Sequence, residues 1–139
     1  MLEDDLIRLC FNKDITIRKI IYKYIDEQWI QSPIHLQIFK SVFIHLKSEN
    51  EVPLNIIINE TVDSEIRKKI VSLTFDIHKF QPTLNMAIDC LIRLEKKALK
   101  LSLINLRDKL KTSQDTTTII NEISIVETNI KELELKYNE

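Results

Sequence analysis

Apolar residues recur every three or four positions along most of the chain, which is the spacing of one face of an α-helix. No stretch keeps up the alternation of apolar and polar residues that a half-buried strand would show. The spacing therefore predicts an all-α protein. It indicates five short helices, then a long helix that begins near Thr83, and finally a return helix.

Residues that cap free amide groups mark several helix starts. Ser32 followed by Pro33 is a strong signal, because serine accepts a hydrogen bond from the first turn and proline fits the first helical position. The fifth helix is expected to run as far as Ile77. Asn12 is expected to end the first helix in the left-handed conformation, in which asparagine best replaces glycine. Further N-caps are predicted at Asp14, Asp63 and Asp115.

The long helix is expected to continue to Lys111, about 29 residues from Thr83. At ~1.5 Å per residue it is longer than a small globular domain is wide, so its second half should project. Both this half and the return helix carry apolar residues spaced alternately four and three apart, which is the heptad pattern of helix pairs. The two predicted rows are Leu99, Leu103, Leu106 and Leu110, and Ile119, Ile123, Val126, Ile130, Leu133 and Tyr137.

The two rows predict an antiparallel helical hairpin that turns at the segment TSQDT. In this pairing Leu110 faces Ile119 and Leu99 faces Ile130. Charge agrees, because residues 93–111 carry seven basic and two acidic side chains, whereas residues 115–139 carry two basic and six acidic ones. We therefore expect a helical bundle subdomain over residues 1–95, followed by a helical hairpin subdomain over residues 96–139.

Some apolar residues of the predicted hairpin lie outside the two heptad rows. Two helices enclose too little interior to bury them all, and exposed apolar residues of this kind are typical of a surface that receives another helix or a groove. For the residues nearest the bundle, packing on the bundle is an equally good explanation. These residues are Leu101, Ile104, Ile120, Ile125 and Leu135.

Composition narrows the function classes. The chain has 139 residues, of which 44% are hydrophobic and 29% charged, with a net charge of -1, so it can bury a core without a dominant field of one sign. It contains no glycine, which argues against phosphate-binding loops and nucleotide fingerprints. Cys10 and Cys90 have no metal-ligand spacing, and no apolar run is long enough for a membrane span. We expect a soluble cytoplasmic protein without a cofactor or a metal.

Candidate catalytic chemistry is sparse in the sequence. His35, His45 and His78 are scattered, and no HExxH motif, Ser/His/Asp arrangement or carboxylate pair stands out. The basic segment RLEKKALK, from Arg93 to Lys100, offers cations to phosphate groups but has no aromatic side chains for base stacking. A nucleic-acid-binding accessory module is therefore an alternative, although direct nucleic-acid contact is not the expectation.

Four features in order carry a family resemblance: LIRL in the first helix, SPIHLQIF at the start of the third, EIRKKI in the fifth, and CLIRLEKKALK leading into the charged hairpin. In this order and spacing the chain resembles the C-terminal helicase-binding domain of bacterial replicative DNA primases, over essentially its whole length. The N-terminal domain of the replicative helicase has the same bundle-and-hairpin plan and is the nearest alternative. Such helicase domains ordinarily carry a glycine near the first helix and continue into a glycine-rich linker, both of which are lacking here.

The resemblance implies a non-catalytic docking module. In that family the hairpin docks on the N-terminal domains of the hexameric helicase, which couples RNA primer synthesis to DNA unwinding, while the bundle stimulates or stabilises the ring. The catalytic domains would lie outside this chain, which we expect to be a fragment of a primase whose Met1 is an expression start. Neither a small-molecule substrate nor a membrane partner is implied. The candidate contact residues are Leu101, Ile104, Lys109, Lys111, Ile125, Leu135, Lys136 and Tyr137.

Overall fold

The computed structural model describes residues 2–137, and all regular structure in that range is helical. The predicted all-α class is therefore confirmed. Two short 3-10 helices, Glu27–Trp29 and Ile77–Lys79, accompany the α-helices. The α-helices of the described range are α1 (Leu2–Cys10), α2 (Ile15–Tyr24), α3 (Pro33–Phe43), α4 (Leu54–Glu60), α5 (Ser64–Thr74), α6 (Leu84–Thr112), α7 (Thr116–Lys131) and α8 (Leu133–Tyr137).

The chain forms two compact units, Met1–Leu91 and Ile92–Glu139. The division falls inside α6, four residues before the end of the bundle subdomain that was expected from the sequence at residue 95. The first unit contains α1 to α5 and the beginning of α6. The second contains the remainder of α6 with α7 and α8, and we call this second unit the hairpin.

The core of the first unit forms around α1, which packs against α2, α3 and α5. These helices bury their apolar faces almost completely, as their three-to-four spacing requires. Burial of this kind removes apolar surface from water and is the main favourable contribution to folding. Side chains of this core that are at most 2% exposed include Leu6, Ile7, Ile21, Ile38, Phe39, Val42, Leu46 and Ile70.

Local capping follows the sequence signals at helix starts. The Ser32 side chain caps α3 by accepting a hydrogen bond from the His35 amide, and Pro33 occupies the first helical position. Each predicted aspartate cap likewise accepts a hydrogen bond from an amide two or three residues ahead. The aspartate caps are Asp14 of α2, Asp63 of α5 and Asp115 of α7.

Two predictions about helix ends were wrong. Among the described residues the left-handed conformation is taken by Asp76, with φ 56°, and not by Asn12. The Asn12 side chain accepts a hydrogen bond from the Asp14 amide at 2.8 Å, which begins the next helix instead of capping the last one. The fifth helix ends at Thr74, three residues earlier than expected, because the chain turns at Asp76 into a 3-10 helix.

Arg18 is an unusual core residue, because its side chain is fully buried. Its Nη1 donates to the backbone oxygen of His45 at 3.3 Å, while its Nε has no hydrogen-bond partner among the described residues. Burial lowers the pKa of Arg18, and the carboxylates of Asp14 and Glu51 act in the opposite direction. The arginine therefore ties α2 to the segment that follows α3.

Asp4 joins three helices of the first unit. Its Oδ1 lies 2.6 Å from His35 Nε2 on α3 and 3.3 Å from Lys69 Nζ on α5. On the other side of the imidazole, Nδ1 lies 2.8 Å from Ser32 Oγ. Burial by itself would raise the pKa of Asp4, but the hydrogen bonds and positive charge from His35 and Lys69 together hold that pKa below its ordinary value.

Replacement of Asp4 by asparagine should lower the free energy of unfolding at neutral pH by about 1.5 to 3 kcal/mol, the usual size of a hydrogen bond to a charged group. Because the pKa of Asp4 is lowered on folding, its stabilising contribution is present above pH 3.8 and is lost as the pH falls below that value. Urea unfolding of Asp4→Asn across a pH series measures both effects.

Asp5→Asn is the matched control, since Asp5 is in the same helical turn but is 54% exposed. We expect this change to cost less than about 1 kcal/mol, as surface ion pairs do. If both variants lost the same free energy of unfolding at neutral pH, the contacts of Asp4 with His35 and Lys69 would not be stabilising as proposed.

Candidate interaction surface

The hairpin is antiparallel. Arg107 on α6 pairs with Glu127 on α7 at 3.6 Å, and Glu95 near the start of the unit accepts a hydrogen bond from Tyr137 at its end, at 2.9 Å. Contacts that join early to late residues in this way fit the predicted turn at TSQDT. The return segment is not one helix as expected, because Glu132 interrupts it with a φ of -93° and a ψ of 3°.

Burial within the hairpin follows the two heptad rows. Leu103 and Ile119 are 8% exposed and Leu133 is 4% exposed, although each lies in a unit made of only two helical arms. Tyr137, the last member of the rows, is also 4% exposed. The remaining six members are half-buried, namely Leu99, Leu106, Leu110, Ile123, Val126 and Ile130. We call these two rows the seam. The seam is therefore filled by the chain itself.

Glu95 holds the open end of the hairpin together. Its carboxylate accepts a hydrogen bond from the Tyr137 hydroxyl and pairs with the Lys136 ammonium group, and its side chain is only 12% exposed. Glu95 is not among the residues predicted from the sequence to have a role. The signal in the sequence is its position: Glu95 precedes the seam residue Leu99 by four residues, so it lies beside the seam, where a carboxylate needs a hydrogen-bond partner.

The hydrogen bond to Glu95 removes Tyr137 from the exposed surface on which it was expected. Tyr137 was expected both in a heptad row and on the partner-facing surface, but it is 4% exposed and its hydroxyl is bound to Glu95. A side chain buried in this way cannot contribute much area to a new interface. Lys136 remains 44% exposed at its side chain, so it can still meet another molecule.

The apolar candidate residues are exposed, as expected for side chains outside the seam. Leu101 is 42% exposed, Ile104 54%, Ile125 61% and Leu135 67%. These fractions are large for leucine and isoleucine, which mostly lie inside folded proteins. Lys109 and Lys111 are exposed as well. Ile120, another apolar residue outside the seam but not one of the candidate contact residues, is 53% exposed.

The structure does not bring all the candidates onto one surface. Ile104 lies one turn before Arg107 and therefore on the flank of the hairpin where Arg107 meets Glu127. Ile120 precedes Glu127 by seven residues, two helical turns, and shares that flank. Leu101 is between the seam residues Leu99 and Leu103 in sequence, so it lies on the opposite face of α6.

The other flank of the hairpin contains a groove. Near the turn, a cavity of about 430 Å³ brings together Lys109 of α6 and Ile125 of α7, and near α8 a second cavity of about 410 Å³ has Leu135 and Lys136 in its lining. The α6 residues that line the two cavities share one face, because their spacing is four, three, four and three. They are Glu95, Leu99, Ser102, Leu106 and Lys109.

Polar side chains elsewhere in the described range serve the fold. Ser32, His35 and Asp4 form a hydrogen-bonded chain that the sequence did not reveal, in which Ser32 caps α3 and Asp4 links three helices. Residues 2–137 contain no group of three or more histidine, cysteine, aspartate or glutamate side chains arranged to hold a metal ion. Cys10 and Cys90 are buried, and burial raises the pKa of the Cys10 thiol.

Comparison with other proteins gives no relative from which to transfer a function. No protein-family model, curated protein or solved structure matches the chain. Among the described helices none is both long enough and apolar enough to cross a membrane. A functional proposal must therefore rest on the sequence pattern and on the geometry of the hairpin.

Proposed function

We propose that this chain is the helicase-interaction domain of a bacterial replicative primase. In this role it acts in the cytoplasm and docks on the N-terminal domain of the hexameric replicative helicase, which keeps primer synthesis close to the unwinding DNA. The chain itself is not catalytic; the nucleotidyl transfer belongs to other domains of the primase. The order of the four sequence features LIRL, SPIHLQIF, EIRKKI and CLIRLEKKALK motivates the identity of this family.

One structural observation supports docking through the hairpin. The seam is filled from within the chain, yet Leu101, Ile104, Ile125 and Leu135 remain between 42% and 67% exposed. These side chains do not help to close the hairpin, and they form apolar surface on helices, which is the kind of surface that packs against other helices.

Charged residues beside these apolar groups give the surface the character of a docking site. In the groove, Lys109 lines the same cavity as Ile125, and Lys136 lines the same cavity as Leu135. An apolar contact surrounded by charged groups is the common plan of protein interfaces, in which the apolar centre supplies affinity and the charged rim supplies selectivity. The N-terminal domain of the helicase, itself built from a helical bundle and a hairpin, is the proposed partner.

The mass of a mixture tests this proposal. The chain and the N-terminal region of the replicative helicase of the same organism are combined, and the product is measured by light scattering after size-exclusion chromatography. We expect a complex heavier than either component. Separate elution of the two proteins at micromolar concentrations would contradict the assignment.

A further inference from the structure

One flank of α6 carries a row of basic side chains. The spacing along the row is four, three, four, three and four residues, so every member falls on one face of the helix over about 27 Å. All of them are exposed, and a single apolar residue, Ile104, interrupts the row. We call the row the basic stripe; it consists of Arg93, Lys97, Lys100, Ile104, Arg107 and Lys111.

The hairpin neutralises only part of this charge. Arg107 meets Glu127 at 3.6 Å, and Lys111 lies 3.9 Å from Asp108 in its own helix. Lys97 and Lys100, in contrast, form no ion pair with a carboxylate in the part of the chain that the structure describes. The stripe therefore keeps net positive charge, which attracts an acidic molecule even though the chain as a whole is nearly neutral.

The position of Ile104 indicates the class of that molecule. Ile104 is 54% exposed at the centre of the stripe, where a phosphate backbone would offer it no apolar partner. The stripe also contains no aromatic side chain on which a base could stack. A helix with an apolar residue between acidic ones satisfies both the isoleucine and the cations, so the observations favour a protein helix over a nucleic acid.

The contact between α6 and α7 shows how such a helix would bind. Glu127 lies on α7, which runs antiparallel to α6, and its carboxylate pairs with Arg107 of the stripe. One carboxylate on a neighbouring helix thus pairs with one cation of the stripe. A further helix laid along the open side of the stripe repeats this contact at Lys100 and Lys97, because carboxylates at heptad spacing match cations at heptad spacing.

We propose that the basic stripe binds an amphipathic helix of the partner that presents aspartate or glutamate at heptad spacing around an apolar residue packed on Ile104. This deepens the proposed function and rests on it for the identity of the partner, whose N-terminal region would carry the acidic helix. The stripe lies on the flank opposite the groove that contains Lys109 and Ile125, so it adds a second contact surface to the hairpin.

Charge reversal tests the proposal. The triple variant Lys97→Glu, Lys100→Glu and Lys111→Glu should weaken binding to the helicase N-terminal region by at least about tenfold at low salt, because three attractions become repulsions. The control makes the same charge change on exposed lysines of the first unit, Lys19→Glu, Lys40→Glu and Lys68→Glu, and should alter affinity by less than about threefold. Circular dichroism of each variant establishes that its helices are intact.

A second variant separates a protein helix from a nucleic acid. Ile104→Gln keeps all charges of the stripe, and we expect it to weaken helicase binding by several-fold. Binding of single-stranded DNA by the intact chain at low salt, lost in the triple variant while helicase binding is retained, would overturn the proposal and assign the stripe to nucleic acid.

The remaining outcomes are distinct. Tight helicase binding by the intact chain, unchanged in the triple variant, overturns the stripe proposal and leaves the proposed function standing. No helicase binding by the intact chain overturns the proposed function, and the stripe proposal falls with it.

Discussion

Leu103→Ala is expected to destabilise the hairpin by about 2 to 4 kcal/mol, which would leave α7 largely unpaired from α6. Leu103 is 8% exposed in the seam, and the truncation removes apolar contacts that two helices cannot replace by collapsing around the gap. Hydrogen exchange of the α7 amides, read at single residues by NMR, measures the change directly. We expect exchange in α7 to become much faster while exchange in α3 stays the same.

Leu101→Ala is the matched control, because it makes the same substitution two residues away in the same helix. Leu101 is 42% exposed and lies outside the seam, so its loss should cost less than about 1 kcal/mol and leave α7 exchange nearly unchanged. If Leu101 contacts the helicase as proposed, this variant should weaken binding without loosening the hairpin. Equal effects of the two variants on α7 exchange would show that the seam has been misidentified.

Local signals predicted the helix starts well. A cap such as Ser32 acts on amides two or three residues ahead, so the residues that decide the structure are neighbours in the sequence. Helix ends were harder, because in a chain without glycine several residues compete for the left-handed turn. Asp76 adopts that conformation and Asn12 does not, and nothing in the nearby sequence distinguishes the two.

Periodicity also separated the buried side of the hairpin from its exposed side. Leu103 and Ile119 are buried and Ile104 and Ile125 are exposed, as their places in the heptad pattern indicate. The pattern does not say which flank each exposed residue occupies in the paired hairpin. Sequence spacing therefore identified the apolar surface but not its division between two flanks.

Local sequence patterns did not predict the polar contacts between residues far apart in the chain. Glu95 and Tyr137 are 42 residues apart and form a hydrogen bond. Tyr137 is therefore buried, although it was expected on the partner-facing surface. Asp4 and His35 are 31 residues apart and likewise gave no sign of their pairing. Such partners are chosen by the packing of whole helices, which a single sequence does not specify.

Removal of the hairpin should abolish helicase binding. A chain that ends at Lys97 lacks Leu101, Ile104, Ile125 and Leu135, and the loss of several apolar anchors at about 2 kcal/mol each predicts an affinity at least about a hundredfold lower. The single tryptophan, Trp29, lies in the first unit, so its fluorescence during urea unfolding shows whether that unit still folds.

A variant of the intact chain tests the same surface without the risk that a shortened chain fails to fold. Leu101→Ser together with Ile125→Ser leaves the seam residues in place and should reduce affinity by about tenfold or more, while Leu101 and Ile125 carry no part of the hydrogen bonds that close the hairpin. Retained binding by this variant would limit the docking role to the other exposed residues.

The decisive measurement is the affinity of the helicase N-terminal region for the intact chain and for the chain that ends at Lys97, determined side by side by isothermal titration calorimetry. Docking through the hairpin predicts a clear binding isotherm for the intact chain and no detectable heat for the shortened one. Equal affinity for the two chains would contradict it and assign binding to the first unit.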